Sequence, residues 1–146
     1  MLKGISPVIS PYLLKTLAEM GHGDEIVIAD AYFPGRTCNR CVIRADGVSA
    51  AELLEGMVAL IDLDAYETPV IMMAPEPGDV LDPKVEARYR KALGGYSGTV
   101  ERLERDVFYC RAKAAFAVVQ SGETAQYGNV ILRKGNFSGK CPPIGR

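Results

Sequence analysis

The sequence predicts a three-layer α/β/α single domain with a largely parallel sheet. Two observations support this fold class: short apolar, β-branched runs recur along the chain, and amphipathic stretches with helix-start signals separate them. The chain has 146 residues, the usual size of one domain, and shows no internal repeat. We therefore expect residues 1–146 to form one domain.

Helix-start signals mark the predicted helices. Ser10-Pro11 places an N-cap serine before a first-turn proline, and Asp82-Pro83 combines an aspartate cap with the same proline position. Ser49 is followed three residues later by Glu52, which completes a capping-box pattern. The predicted helices run from Ser10-Pro11 to Gly21 or Gly23, from Ser49 to about Ile61, from Asp82 to about Leu93, and from about Asp106 to Lys113.

The predicted strands are short apolar runs bounded by turn residues. The run 25–30 is typical of a strand buried on both faces of a parallel sheet, whereas the weak alternation of 99–104 is typical of an edge strand. Residues 32–40 and 121–128 are predicted loops, and the Gly- and Pro-rich tail from about 138 to 146 is expected to be loosely held. The remaining strands are predicted at 41–44, 69–74, 115–120 and 129–133.

Composition and charge favour an ordinary cytoplasmic protein. The 17 basic residues are scattered and balanced by 18 acidic ones, which argues against nucleic acid or an anionic membrane as a partner. No apolar run approaches the roughly 18 residues of a membrane helix, and Met1–Pro7 lacks the apolar core of a signal peptide. We therefore expect the four cysteines to be reduced thiols.

The spacing Cys38-x-x-Cys41 matches a zinc knuckle or a redox pair. A structural zinc site needs two more ligands, and the sequence offers neither a second such pair nor a paired histidine. A redox pair usually opens a helix, whereas this one follows Pro34-Gly35 in a predicted loop. Two unpaired loop thiols are the simplest interpretation. No glycine pattern matches a dinucleotide or phosphate loop, so a nucleotide cofactor is not expected.

The only histidine of the chain, His22, lies in the turn Gly21–Asp24 between a predicted helix and the first buried strand. Histidine can donate and accept protons near neutral pH, and a helix C-terminus favours its protonated form. On the residues alone, a solvent-exposed turn histidine is the simpler interpretation.

Polar residues in three further segments also admit both a structural and a functional interpretation. Asp30 ends the first buried strand, where α/β folds place ligands, but it can equally be a cap or turn residue. Tyr127–Asn129 can be a plain turn, since glycine and asparagine tolerate positive φ. Arg105 and Tyr109 can simply begin a helix.

Taken together, five segments resemble the RbsD/FucU family of sugar mutarotases, and most closely its fucose branch. The resemblance extends from Leu2 to about Gly135, nearly the whole chain. The five segments occur in the order found in the family, which is more specific than any one of them. They are Ser10–Leu14, Met20–Ile26, Ile43–Gly47, Phe108–Ala112 and Gly122–Asn129.

The resemblance implies interconversion of the α and β anomers of a free reducing sugar, L-fucose in this branch, without a metal or organic cofactor. It also implies a homo-oligomer, a decameric ring or a dimer, with sites near subunit interfaces. By the same resemblance His22 is the proton donor, and Tyr109 and Asp64 belong to the site. The positions implied to contact the sugar are Asp30, Arg105, Tyr127 and Asn129.

One position departs from the family pattern. Fucose mutarotases commonly carry glutamate between the tyrosine and arginine of the segment Phe108–Ala112, and this chain has Cys110 there. Since Tyr109 is kept, we expect the site to survive without any hydrogen bond that the glutamate makes.

The chemistry of anomer exchange agrees with these assignments. Ring opening delivers one proton to the ring oxygen and removes one from the anomeric hydroxyl, so we expect His22 to donate and water or a tyrosine hydroxyl to accept. A neutral sugar calls for hydrogen-bonding groups and an aromatic surface, which the implied contact residues and Tyr32 supply. A ribose pyranase, a non-catalytic sugar-binding protein and a pure scaffold ring remain alternatives.

Overall fold

The structure of the protein is a computed structural model that describes residues 1–136. The predicted tail from about 138 to 146 lies outside these residues. Within these described residues, eleven elements follow one another: α1 (Pro11–Glu19), β1 (Glu25–Ala29), α2 (Gly35–Cys38), β2 (Val42–Ala45), α3 (Ala50–Val58), β3 (Val70–Met73), α4 (Pro83–Ala92), β4 (Val100–Leu103), α5 (Arg105–Ala114), β5 (Ala117–Ser121) and β6 (Val130–Arg133).

The six strands form one sheet in the order β2-β5-β1-β6-β3-β4. β5 is parallel to both β1 and β2, and β3 is parallel to β4, which confirms the largely parallel sheet. β6 lies between β1 and β3 and is antiparallel to both. Residues 122–129 join β5 to β6, and a connection this short cannot make the crossover of a dozen or more residues that a parallel strand needs.

The reversed strand determines which residues meet at each edge of the sheet. One edge, which we call the carboxyl edge, has Asp30 after β1, Ala74 after β3 and Asn129 before β6. The opposite edge, the amino edge, has Asp24 before β1 and Lys134 after β6. Segments far apart in the sequence therefore converge at two distinct places.

Helices cover both faces of the sheet, which confirms the three layers. Neighbouring strand residues point to opposite faces, so Ile26 and Ile28 belong to one apolar cluster and Val27 and Ala29 to the other. Helices α1, α3 and α4 pack on the first face, and α2 and α5 on the second. The first cluster includes Leu13, Leu53, Met57 and Tyr89, and the second includes Phe33, Phe108 and Ala112.

The predicted helix caps are confirmed. Ser10 Oγ accepts a hydrogen bond from the Leu13 amide at 3.1 Å, and Asp82 Oδ1 accepts one from the Lys84 amide at 2.9 Å. Both bonds of the capping box are present at the start of α3. Each cap satisfies an amide that the first turn of a helix would otherwise leave unpaired.

One predicted loop contains a helix. The segment 32–40 forms the single turn α2, which starts directly after Pro34. Asn39 ends this turn, and its side-chain amide donates to the Ala112 and Ala115 carbonyls at the end of α5, at 3.0 and 2.9 Å. A tertiary contact therefore stabilises a turn too short to show a helical period in the sequence.

Cys38 and Cys41 contact different faces of the sheet. Cys38 packs against the cluster beside α5, whereas Cys41 packs against the cluster on the opposite face. Both are free thiols. Among residues 1–136, no group of three or more His, Cys, Asp or Glu side chains is arranged to hold a metal ion.

Within the same described range, every helix is too short or too polar to cross a membrane.

Candidate active site

A shallow pocket opens at the carboxyl edge of the sheet, and five of the residues that the resemblance assigns to the site line it. They come from the end of β1, the start of α5 and the β5–β6 connection, so the topology brings together segments about one hundred positions apart. The five residues are Asp30, Arg105, Tyr109, Tyr127 and Asn129. The pocket wall is completed by Tyr32, Phe33, Met73, Glu76 and Gln126.

Asp30 and Asn129 form the buried base of this pocket. The Asp30 amide donates to Asn129 Oδ1 at 2.7 Å, and the Tyr32 amide donates to Asp30 Oδ1 at 3.0 Å. Only 7% of Asp30 and 6% of Asn129 is exposed, and burial raises the pKa of the Asp30 carboxyl. A partly desolvated carboxylate held in one orientation is a strong acceptor for a sugar hydroxyl.

Arg105 and Tyr109 supply one side of the pocket from the first turn of α5. The Arg105 guanidinium lies over the Tyr109 ring, 5.4 Å from its centroid, and a hydrogen bond to Tyr109 raises the pKa of Arg105. The Tyr109 ring makes an edge contact with Phe33, with centroids 5.3 Å apart. This packing holds an aromatic surface and a permanent donor at the pocket mouth.

Tyr127 forms the opposite side, and its backbone is strained. Its φ is 57°, the one positive value at a non-glycine position in the part of the chain that the structure describes. The Tyr127 hydroxyl donates to Asp79 Oδ2 at 2.5 Å and accepts from the Glu76 amide at 2.9 Å. The hydrogen bond to Asp79 raises the pKa of the Tyr127 phenol. The hydroxyl is therefore held by the connection between β3 and α4.

Close packing beneath Tyr127 accounts for the neighbouring glycine. A Cβ on Gly128 would lie 2.9 Å from the Ala125 carbonyl oxygen and 3.1 Å from the Tyr89 hydroxyl, so no side chain fits there. The Tyr89 hydroxyl is buried and donates to the Gly128 carbonyl at 2.7 Å. Tyr89 of α4 thereby fixes the loop that carries Tyr127 and Asn129.

Glu123 anchors the same loop from below. Its buried carboxylate accepts from Arg88 Nη1 at 3.0 Å and from the Thr124 amide at 3.1 Å, and it lies 3.4 Å from the Tyr89 hydroxyl. Sequence reasoning did not single out Arg88, Tyr89 or Asp79. Glu123 belongs to the segment Gly122–Asn129, which carries part of the family resemblance. Nothing in the sequence, however, indicates that Glu123 contacts α4.

His22 lies at the amino edge, away from this pocket. His22 precedes β1 and Asp30 follows it, and a five-residue strand spans roughly 16 Å. The side chain of His22 is 40% exposed, and its Nε2 is 3.1 Å from Oδ1 of Asp64, whose side chain is 1% exposed. One chain therefore does not bring His22 and Asp64 into contact with the residues that line the pocket.

Asp64 is held from three sides. Its Oδ2 accepts from Arg133 Nε at 2.7 Å, and its Oδ1 also accepts from the Tyr66 amide at 3.0 Å. These bonds, together with His22, keep the pKa of the Asp64 carboxyl well below its usual value of 3.8. A carboxylate that stays ionised at this distance holds the imidazole in one orientation.

The turn that carries His22 is fitted closely to β6. Gly23 has φ +86°, and a Cβ there would lie 3.1 Å from Arg133 Nη2. At the end of α1, the Leu17 and Met20 carbonyl oxygens accept hydrogen bonds from Lys134 Nζ, at 2.8 and 2.6 Å. The side chain that pairs with the end of this helix is therefore Lys134. The partner that orients His22 is thus Asp64 rather than the end of the helix.

The pocket thus combines a buried carboxylate, a side-chain amide, a guanidinium and two phenol groups, and the histidine–carboxylate pair lies apart from it. The chain matches the RbsD / FucU transport protein family over residues 3–137. It belongs to this family.

Relatives and solved structures agree with the family assignment. The L-fucose mutarotase of Actinobacillus pleuropneumoniae serotype 5b is 58% identical over 139 residues, covering 92% of this chain and 96% of that protein. The structure of the fucose mutarotase from Streptococcus pneumoniae in complex with L-fucose has a TM-score of 0.87 at 45% identity, covering 93% of this chain and 99% of that one. Bacillus subtilis RbsD complexed with D-ribose has a TM-score of 0.70 at 26% identity, covering 94% and 99%.

Proposed function

We propose that this protein is a cofactor-independent isomerase that interconverts the α and β anomers of free L-fucose. The observation that carries the proposal is the convergence of Asp30, Asn129 and Arg105 with two tyrosines in one pocket. Neutral sugars are held by such combinations of donors, acceptors and aromatic surface. The names of the similar proteins point to L-fucose as the sugar.

Anomer exchange needs two proton transfers in the pocket. As the bond between the anomeric carbon and the ring oxygen breaks, the ring oxygen takes a proton from an acid, and the anomeric hydroxyl loses its proton to a base. The product is the open-chain aldehyde, and closure on its other face reverses both transfers. The acid is His22 in its protonated form, held by Asp64, and the base is water or a tyrosine hydroxyl of the pocket.

The pocket and the His22–Asp64 pair lie at opposite edges of the sheet within one chain. A complete site therefore needs a second copy of the chain. His22 is exposed, and Tyr66 beside it, with ring centroids 5.5 Å apart, is 80% exposed. Both side chains therefore project from the amino edge and are available to a neighbouring carboxyl-edge pocket. The assembly is a homo-oligomer, a dimer or a closed ring such as a decamer, in which each interface joins one pocket to one histidine.

Saturation-transfer NMR of anomer exchange in L-fucose tests the activity. The wild-type protein should exchange magnetisation between the two anomers, and His22→Ala should lose at least about a hundred-fold of the catalysed rate. An unchanged rate in His22→Ala would remove His22 from the reaction. Sugar binding without any catalysed exchange by the wild type would instead indicate a non-catalytic binding protein.

Mixing two inactive variants tests the shared site. His22→Ala keeps a whole pocket and Arg105→Ala keeps a whole histidine–carboxylate pair, so subunits refolded together should regain activity in about a quarter of the interfaces. If subunit exchange is verified and the mixture still shows no anomer exchange, the proposal that two chains share each site is contradicted.

Ribose is the second candidate substrate. The similar fold of a protein crystallised with D-ribose favours it, although at lower identity than the fucose relative. Pyranose–furanose exchange of ribose faster than anomer exchange of fucose, measured on the same protein sample, would make ribose the primary substrate.

A further inference from the structure

Glu25 lies between two arginines at the start of β1. Arg111 of α5 binds both of its carboxylate oxygens, with Nε donating to Oε1 at 3.1 Å and Nη2 donating to Oε2. Arg133 is its neighbour across β1 and β6 and places Nη1 3.7 Å from the same Oε2. The Glu25 side chain is only 13% exposed, so a bidentate pair that is largely shielded from water holds this carboxylate in one position.

The guanidinium of Arg133 meets three carboxylates through three different nitrogens. Nε donates to Asp64 Oδ2 at 2.7 Å, Nη1 faces Glu25, and Nη2 lies 3.4 Å from Glu67 Oε2. Glu67 is exposed, and exposed ion pairs contribute little. Because the guanidinium is planar, holding its Nη1 on the fixed carboxylate of Glu25 also sets the direction in which Nε points at Asp64.

The orientation of Asp64 determines which nitrogen of His22 can react. Asp64 is ionised and only accepts hydrogen bonds, so His22 Nε2, which lies 3.1 Å from its Oδ1, carries a proton. Nδ1 is then the nitrogen that gains and loses a proton in acid–base chemistry. This arrangement requires that Arg133 hold Oδ2 and leave Oδ1 turned towards the imidazole.

We infer that Glu25 is a positioning residue for the proton donor His22. It acts through Arg133 and Asp64, and Arg111 in the last turn of α5 holds it in place. The inference rests on the proposed function, in which His22 is the acid. It adds that α5, whose first turn lines the pocket, also supports the histidine at the opposite edge of the sheet.

Glu25→Gln removes the charge and one acceptor but keeps the size of the side chain. We expect the rate constant of fucose anomer exchange to fall about ten-fold, because a displaced acid catalyses less well even when every reacting group is present. The Kd for L-fucose should change less than about two-fold, since the pocket that binds the sugar does not contain Glu25.

The sole histidine of the chain gives a direct readout of positioning. In protein made without a histidine tag and with isotope-labelled histidine, every imidazole nitrogen signal comes from His22. At a pH where the ring is neutral, the wild type should show a protonated Nε2 and an unprotonated Nδ1. Glu25→Gln should instead show a mixture of the two tautomers, a change that a purely structural role for Glu25 does not predict.

Glu86→Gln is the matched control, because Glu86 also lies between two arginines. It accepts from Arg90 Nε at 3.1 Å and from Arg102 Nη2 at 2.8 Å, and its side chain is partly buried. These contacts join α4 to β4, away from His22. The control variant should lose stability in chemical unfolding but keep the wild-type exchange rate and a single His22 tautomer.

Arg111→Lys tests the same link without changing a carboxylate. Lysine keeps the positive charge but lacks the fork that binds both oxygens of Glu25, so the exchange rate should fall by a smaller factor than in Glu25→Gln. Glu25→Gln combined with Arg133→Lys should be slowed by less than the product of the two single effects, since both changes act on the same bond to Asp64.

Three results would overturn the inference: a wild-type exchange rate in Glu25→Gln, a rise in Kd that accounts for the whole loss of rate, or an unchanged His22 tautomer in the slowed variant. If Glu25→Gln does not fold, Arg111→Lys takes its place in all three measurements. A wild-type protein that exchanges no anomer would overturn the proposed function instead. The tautomer measurement needs no sugar, so it still decides whether Glu25 positions His22.

Discussion

Asp64 joins His22 to Arg133: one carboxylate oxygen lies 3.1 Å from His22 Nε2, and the other accepts from Arg133 Nε at 2.7 Å. The histidine is at the surface and the carboxylate beneath it is buried. The hydrogen bonds from the Tyr66 amide and from Arg133 hold the pKa of the Asp64 carboxyl below its usual value, so Asp64 stays ionised. A histidine in a short glycine turn thereby acquires a fixed position at the amino edge.

Replacing Asp64 should change how stability depends on pH. The folded protein holds the Asp64 pKa below the ordinary value of 3.8, so in acid the unfolded chain binds the extra proton and stability falls as pH falls through that range. Asp64→Asn should therefore be less stable than wild type at pH 7, and the difference should shrink below about pH 4.

Urea unfolding between pH 7 and pH 2 measures this difference. Asp46→Asn is the control, because Asp46 pairs with Arg44 at the surface, with side chains 68% and 64% exposed, and should give a small effect at every pH. A difference for Asp64→Asn that stays constant down to pH 2 would contradict the assigned ion pair.

Gly23→Ala should both strain the turn and displace Arg133. The positive φ costs about 1–2 kcal/mol for a residue with a Cβ, and the added methyl group would press on the guanidinium that holds Asp64. We expect a lower free energy of unfolding and a several-fold slower anomer exchange.

Gly47→Ala is the matched control for that variant. Gly47 has φ +79°, but a Cβ there meets nothing within 4 Å, so it carries the backbone strain alone. Equal losses of stability and rate in the two variants, measured by chemical unfolding and NMR exchange, would show that the contact with Arg133 has no role.

Tyr89→Phe should loosen the loop that carries two pocket residues. It removes a buried hydroxyl that donates to the Gly128 carbonyl, and the unpaired carbonyl should cost about 1–3 kcal/mol in the free energy of unfolding. We also expect a higher Kd for L-fucose, since Tyr127 and Asn129 depend on this loop.

Tyr96→Phe provides the comparison, because its hydroxyl bonds to the Thr99 carbonyl near the surface, where water can replace it. Thermal unfolding and sugar titration of both variants measure the two effects. Equal sensitivity at the two tyrosines would argue against a special role for Tyr89.

Removing metal should leave the activity unchanged. The reaction is proposed to run on side-chain acids and bases alone. Dialysis against a chelator should therefore keep the exchange rate within error of the untreated protein, whereas a loss restored by a divalent cation would contradict the cofactor-independent mechanism.

The sequence by itself was sufficient for the local elements and the class of fold. Ser10, Ser49 and Asp82 cap helices through contacts two or three residues away. The strands β1, β3, β5 and β6 each contain three or four consecutive apolar residues, so both signals depend on neighbours in the chain. The resemblance of five segments to a family of sugar mutarotases further predicted which polar residues to consider. The one-turn helix α2 was not predictable in this way, since its contact with α5 joins Asn39 to Ala112 and Ala115.

Only the tertiary structure decided how those residues are grouped. The antiparallel placement of β6 brings Asn129 beside Asp30 and carries Arg133 to the opposite edge beside Asp64, a consequence of strand order that no local pattern encodes. Tyr127 gains Asp79 as a partner in the same way, across 48 positions of sequence. Residue types and spacing thus determined which side chains are available for chemistry. The sheet determined that His22 and the pocket lie at its opposite edges, because the strand β1 runs between His22 and Asp30 and keeps them apart by its own length.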